Sequence, residues 1–434
     1  MSRRLLALAA GVAALVAPLM AHAQDFAVTN ATLAAGDGSE PVSGATVVVR
    51  GGKVVAAGAG VAVPAGVETI DGTGKWVTPG LFSAVTDLGL WDVGAVSNSN
   101  DTEADGSPFN AALDVVPALN PASQHIAISR EGGVTRASVT PFNGNSIFAG
   151  QGAVIDLGAD ASMVMKPRAF QMVALGEGGA RHAGGSRVAA HVVLRNALRE
   201  ARDMASAPAS VDRKSDAMLT HADAAALAPV LAGTEPLYVN VERAADIRSV
   251  LALKTEFPRL DLVLVGATEG WLVASEIAAA GVPVITMALR DLPEEFETLA
   301  ATQSNVGRMT AAGVKVALGL FAGSNQPRYA TQQAGNLVAL TKLRGATGLS
   351  WGQAFAAITS IPAEISGFGG KAGVLKPGAL GDVVIWDGDP LELSSAPEAV
   401  YIDGVKQPLD NHQSRLKDRY KTLERPYLPK AYDW

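Results

Sequence analysis

The 434-residue chain contains no cysteine, so disulfides, thiolate-held zinc, iron–sulfur clusters and thiol nucleophiles are all excluded. Histidine is scarce as well, with six in the whole chain, and any metal must be held by these few imidazoles or by Asp and Glu. Basic residues are outnumbered 35 to 42, a formal net charge of -7. The positive field that a nucleic-acid backbone requires is therefore missing. After the first two dozen residues every apolar run is interrupted by Asp, Glu, Lys or Gly, and no membrane helix is expected. Apolar material is plentiful: 48% of residues are hydrophobic and 18% charged, with 46 Gly and 23 Pro. Such a composition belongs to a large globular core and to neither a disordered nor a fibrous chain.

Arg3 and Arg4 precede an apolar run over residues 5–20, and Ala21-His22-Ala23 places small residues at minus three and minus one before Gln24. This pattern predicts a secretory signal peptide cleaved after Ala23, and hence a periplasmic or secreted protein without membrane insertion. The run includes Pro18 and is short for a bilayer span. Cleavage would remove two arginines and no acids, leaving 33 basic against 42 acidic residues, or -9.

Residues 24–75 read as short β-branched runs separated by turn residues, such as 45–50 followed by Gly51-Gly52-Lys53. Beyond Pro79-Gly80 the texture changes to five- to seven-residue apolar runs alternating with Ala-rich segments of helical period. Eight such runs, at 81–87, 134–139, 153–157, 170–175, 237–241, 261–265, 282–286 and 314–319, predict an α/β fold with a TIM (β/α)8 barrel over residues 76–366. Helices are expected at 187–204, 244–256, 271–280 and 296–312. Strand-and-turn texture returns over 367–410, so a composite β-sandwich domain built from both chain segments is expected. Residues 411–434 read as a short helix with a Pro-containing tail. A Gly-x-Ser-x-Gly elbow is absent, and Gly367-Phe368-Gly369-Gly370-Lys371-Ala372 lacks the spacing and the Ser or Thr of a P-loop.

Three segments carry a family likeness: Val77-Thr78-Pro79-Gly80-Leu81-Phe82-Ser83, Leu262-Val263-Leu264-Val265-Gly266-Ala267-Thr268-Glu269, and the stretch from Ile358-Thr359-Ser360 through Gly373-Val374-Leu375-Lys376-Pro377-Gly378 to Asp387-Gly388-Asp389-Pro390. Through them the chain resembles the amidohydrolase superfamily, in particular exported members similar to imidazolonepropionase. The resemblance implies a hydrolase of C–N bonds in which a divalent metal at the C-terminal mouth of the barrel activates water. Carried over position by position, the strand-one His-x-His falls on Val85 and Asp87, the strand-five histidine on Asn240, the strand-six histidine on Gly266 and the strand-eight catalytic aspartate on Phe321. Lys166 lies too early to match the strand-four lysine of some members. Independently of the resemblance, the five histidines after residue 23 (His125, His182, His191, His221 and His412) form no metal-type spacing.

The polar groups expected at the mouth are Asp87, Asn240, Glu242, Arg243, Thr268 and Glu269, joined by Ser324 and Asn325. Two readings stay open. In one, the protein is catalytically degenerate, holds no metal or other cofactor, and binds a small-molecule ligand through Asn240, Arg243, Thr268 and Phe321, or pairs with a second copy or a related amidohydrolase. Replacing an imidazole by Gly266 and an acid by Phe321 would then leave an apolar pocket with space in it. In the other, Asp87, Glu242 and Glu269 form a rebuilt carboxylate site able to do acid/base chemistry or to hold a divalent metal.

Overall fold

The computed structural model describes residues 23–206, 217–323 and 326–422. The segment before Ala23 that was expected to be a signal peptide, Ser324, Asn325 and the tail after residue 422 lie outside the described residues.

Alternation of apolar residues drives the first strands: β1 (Phe26–Leu33), β2 (Val42–Arg50), β3 (Lys53–Ala59), β4 (Glu68–Asp71) and β5 (Trp76–Pro79). Gly51 and Gly52 connect β2 to β3 at φ +54° and +74°, the left-handed pair that a two-residue hairpin turn demands. A side chain at Gly52 would also collide with the Asp403 carbonyl, 2.8 Å from where its Cβ would stand.

Eight strands then form the barrel: β6 (Leu81–Thr86), β7 (Val134–Val139), β8 (Phe148–Asp156), β9 (Val164–Ala174), β10 (Leu237–Val241), β11 (Leu262–Gly266), β12 (Val284–Thr286) and β13 (Val316–Leu318). Each pairs with the next, and a bridge from Ala84 to Gly319 closes the ring. Inward-facing Phe82, Phe170, Met172, Tyr238, Val263 and Ile285 fill the interior, and the Phe170 and Tyr238 rings stack at 4.2 Å. The interior is thus a packed core and not a pore.

One stave departs from the sequence expectation. The third run was read as part of a βα unit, but β8 is antiparallel to both β7 and β9. Parallel strands need a crossover of about a dozen residues or more, and the connections at 140–147 and 157–163 are shorter than that. Asp156 and Asp160 instead accept from the amides of Gly158 and Ser162, turn-forming bonds that reverse the chain. In place of a helix, the long segment after β6 covers this stave: Gln151 N–H donates to the Leu113 carbonyl at 2.6 Å.

The chain returns with β14 (Val383–Trp386), β15 (Pro397–Ile402) and β16 (Val405–Lys406). They join the first strands in one continuous sheet of order β16-β15-β14-β5-β1-β2-β3, with β4 also on β1. The two chain segments build one composite domain, as expected. One sheet face packs on Phe26, Val28, Val47, Ile385 and Tyr401; Val384, Trp386 and Val400 on the other face join the barrel's outer core. Arg136 ties the two bodies together. Its guanidinium donates to both oxygens of Asp382, at 2.7 and 2.8 Å, and pairs with Asp403 at 2.8 Å. Arg136 and Asp382 are buried.

The helix expected over 187–204 runs Arg187–Ser206, and that over 244–256 divides into Ala244–Leu251 and Leu253–Glu256. The one expected over 296–312 is confined to Asn305–Ala311. Residues 287–304 form neither helix nor strand. Neighbouring elements claim this loop's polar groups: Glu297 accepts from Arg187 at 3.0 Å and from the Glu177 amide at 2.7 Å, and the Ala300 carbonyl accepts from Trp271 Nε1 at 2.9 Å. The expected C-terminal helix spans His412–Tyr420. No helix among the described residues is long and apolar enough to cross a membrane.

A buried acid under the barrel wall makes folding pH-dependent. Glu235 has Gln151 Nε2 at 3.5 Å, and burial pushes its carboxyl up to about 7, with Asp114 adding to the rise and Gln151, Lys166 and Arg168 opposing it. The native state then binds this proton more tightly than the unfolded chain, so stability falls as pH rises through about 4.5 to 7. Glu235→Gln is expected to raise stability at pH 8 by about 3 kcal/mol and to leave pH 4 nearly unchanged. Urea unfolding at the two pH values measures it; equal effects at both would overturn the assignment.

Candidate functional site

The C-terminal strand ends of the barrel concentrate backbone strain. Val85 near the end of β6, Ala267 just after β11 and Leu320 just after β13 have φ of +57°, +49° and +63°, a region that costs L-residues about 1–2 kcal/mol each. For β-branched Val85 this is a marked outlier. Strain of this kind gathers where a site is held in a fixed geometry.

Alternation along β10 turns Tyr238 into the barrel, and half-buried Asn240 continues on the same side. Glu242, two residues on, lies over β11. Its Oε2 accepts from the Thr268 N–H at 2.9 Å and the Thr268 hydroxyl at 2.6 Å, and Arg290 stands 3.6 Å from Oε1. Gly266, at φ +93°, lies beneath this carboxylate: a Cβ there would be 2.4 Å from Glu242 Oε1. The space anticipated above Gly266 is therefore filled by Glu242. Burial pushes the Glu242 carboxyl up, Glu297 adds to this, and Thr268 and Arg290 oppose it.

Asp87 follows β6 and is buried. Its Oδ2 accepts from the Gly323 amide at 2.8 Å, linking the first and eighth strand ends. Burial raises its carboxyl, against the opposing pull of Gly323, Trp91 and His125. The His125 ring packs tilted against Trp91, centroids 4.2 Å apart, Nε2 lies 3.0 Å from the Asp92 carbonyl, and the buried Nδ1 has no partner among the described residues. The sequence places His125 on a helix or loop without a role; it lies in the first turn of the helix Gln124–Glu131, and no spacing in the chain signals its approach to Asp87.

The other anticipated residues take different positions. Glu269 accepts from the Ala244 amide at 3.0 Å and the Ala300 amide at 3.1 Å, so it fastens a helix start and the 287–304 loop. Arg243 is held bidentately by Asp246 at 3.1 and 2.7 Å, and Asp246 also accepts from Arg187 at 3.0 Å. Phe321 joins the outer core and not the interior cluster, so it does not plug the mouth; Leu320 packs against the interior instead. Lys166 lies on the early half of β9, away from the mouth. Arg290 was missed by sequence reasoning, although its place four residues after the seventh apolar run was the available signal, since barrel sites are built from such loops.

Asp87, Glu242 and Glu269 are thus each committed to their own donors. A divalent metal, which the resemblance implies, does not fit this set. Val85 belongs to the apolar interior, Glu242 is engaged by two donors of Thr268, and among the described residues no group of three His, Asp or Glu is placed to hold an ion. The arrangement does offer two buried carboxyls whose pKa values burial raises, and a cationic rim at Arg290.

A family model described as the amidohydrolase family matches residues 167–406. Amidohydrolase tasK of Hapsidospora irregularis is 43% identical over 60 residues, a match spanning 14% of this chain and only 6% of that protein. Among solved structures, an amidohydrolase from Thermotoga maritima MSB8 is similar with a TM-score of 0.76 and 26% identity, covering 88% of this chain and 99% of that one. A prolidase complexed with N-methylphosphonate-L-proline (TM-score 0.53, 16% identity, 88% and 99% covered) and molinate hydrolase (0.51, 16%, 94% and 99%) share the fold.

Proposed function

The chain belongs to the amidohydrolase family, and from that membership we propose that it is an exported, metal-independent member that binds a small ligand at its barrel mouth or serves as a partner subunit. One observation carries this reading: the carboxylate of Glu242 occupies the volume over Gly266, at the strand end where the family resemblance puts a metal-binding imidazole. A histidine at 266 and Glu242 in its present position exclude each other. Val85, turned into the apolar interior, supports the same conclusion at strand one. The proposed export rests on the residue pattern before Gln24.

The rival reading, a rebuilt hydrolase centred on Asp87, Glu242 and Glu269, requires these carboxylates to converge on one ion or one water. Their separate hydrogen bonds weigh against it. Elemental analysis of chain purified from the periplasm without a metal-affinity tag or chelator tests the choice. Well under one equivalent of zinc, iron or manganese per folded chain is expected. One equivalent, lost on Asp87→Ala, would overturn the proposal and favour the rebuilt site.

A further inference from the structure

The 18 residues from 287 to 304 are a long connection to leave without helix or strand; such loops are uncommon in compact domains and are either functional or linker-like, and this one is bonded to its neighbours. Glu297 and Ala300 pin its second half. The first half, with Gln333 from the helix Ala330–Ala339, encloses an open groove of about 350 Å³, within the size range of small-molecule sites. Its apolar lining is Met287, Leu289 and Leu292, and its charged groups are Arg290, Asp291 and Glu294.

Arg290 has nitrogens 3.6 Å from Glu242 Oε1 and 3.4 Å from Glu294 Oε2. Charge-assisted hydrogen bonds are shorter, about 2.7–2.9 Å. The guanidinium is therefore electrically balanced, but its planar fork, which suits a carboxylate, has no close acceptor in these two contacts. Asp291 and Glu294 offer the opposite charge beside it, and each has oxygen capacity left over: Asp291 Oδ2 accepts from Gln303 at 3.1 Å, and Glu294 is mostly exposed. An anion alone would meet two acids and a cation alone would meet the arginine. A ligand carrying both charges around an apolar body matches all three features.

We propose that this groove binds a zwitterion with an apolar side chain, a free amino acid or a short peptide, with the ligand carboxylate on Arg290 and its ammonium on Asp291 and Glu294. The proposal deepens the ligand-binding reading above and rests on it only for the location of the site.

Isothermal titration of full-length mature protein, in chelator-treated buffer, tests it with L-leucine, L-leucyl-L-leucine, L-leucyl-L-leucinamide and N-acetyl-L-leucyl-L-leucine. Leucine or the dipeptide is expected to bind, and which of them binds more tightly separates the amino-acid source from the peptide one. Removing either charge from the dipeptide should weaken binding about tenfold or more, the scale of one charged hydrogen bond. Arg290→Met should abolish the preference for acid over amide, Arg290→Lys should retain part of it, and the pair Asp291→Asn, Glu294→Gln should abolish the preference for the free amine. The near-UV circular dichroism of each variant checks that it is folded. Equal binding of the capped peptides, no binding by either zwitterion, or unchanged binding by folded Arg290→Met would overturn the proposal. A protein that carries tightly held metal yet shows the Arg290-dependent preference would sink the metal-independent reading and leave the groove standing.

Discussion

Replacing Arg136 by methionine is expected to destabilise the fold by about 3–5 kcal/mol, the cost of leaving one partner of a buried ion pair uncompensated. The guanidinium is held between Asp382 and Asp403, with Asp156 at 3.9 Å. Asp382 is itself buried; its remaining donors are the Thr135 hydroxyl at 3.2 Å and the Asp403 amide at 3.0 Å. Two hydrogen bonds from neutral groups do not replace a bidentate cation. The midpoint of guanidinium unfolding followed by tryptophan fluorescence measures the loss. The double variant Arg136→Met, Asp382→Leu should recover much of it, because it removes the stranded charge together with the pair. A single-variant loss below about 1 kcal/mol, the range of exposed pairs, would mean that water reaches this junction.

Gly266→Ala is expected to cost about 3–4 kcal/mol although it adds a single carbon. Part of that is conformational: φ +93° at this position is costly for any residue with a Cβ, by about 1–2 kcal/mol. The rest is displacement of Glu242, whose carboxylate occupies the space of the new methyl and would have to surrender two hydrogen bonds to Thr268, worth about 1.5–3 kcal/mol when the acceptor is charged. Adding Glu242→Ala to Gly266→Ala removes the collision, so the two substitutions should be strongly non-additive. Additive losses in the thermal or denaturant midpoint would show that Glu242 does not sit over position 266 in solution. The same experiment bears on function, since it asks whether the strand-six position can accept any side chain.

Both expectations come from features that single-sequence reasoning reaches unevenly. Strand positions were legible because apolar runs are local: 134–139 and 237–241 coincide with β7 and β10. Strand direction was not read for β8, although the connections flanking it are too short for a parallel crossover. The helix expected at 296–312 failed over its first half because Glu297 and Ala300 are bonded to distant elements, which overrides local period. Within the site, Asn240 was expected at the mouth from the family likeness, and alternation along β10 sets it on the same side as Tyr238. What sat over Gly266 was not legible, because a missing side chain says nothing of which neighbour fills its place. The outward turn of Phe321 depends on the left-handed Leu320 before it, and no pattern in the residues announces that reversal.

The composite sheet places a condition on time as well as space. Pro79 at the end of β5 pairs with Val383 of β14, so the first half of the sheet waits through about 300 residues of synthesis, roughly 15–60 s at ordinary elongation rates, before its partner exists. Throughout that interval β5 presents an open edge, with Lys75 before it and Pro79 closing it to discourage pairing with other chains. A chain that stops short of β14 cannot settle into a smaller version of the same fold: it lacks both the strand that completes the sheet and Asp382, the acid that neutralises Arg136. The fold is in this sense a checkpoint, passed only by a molecule whose synthesis has reached β14.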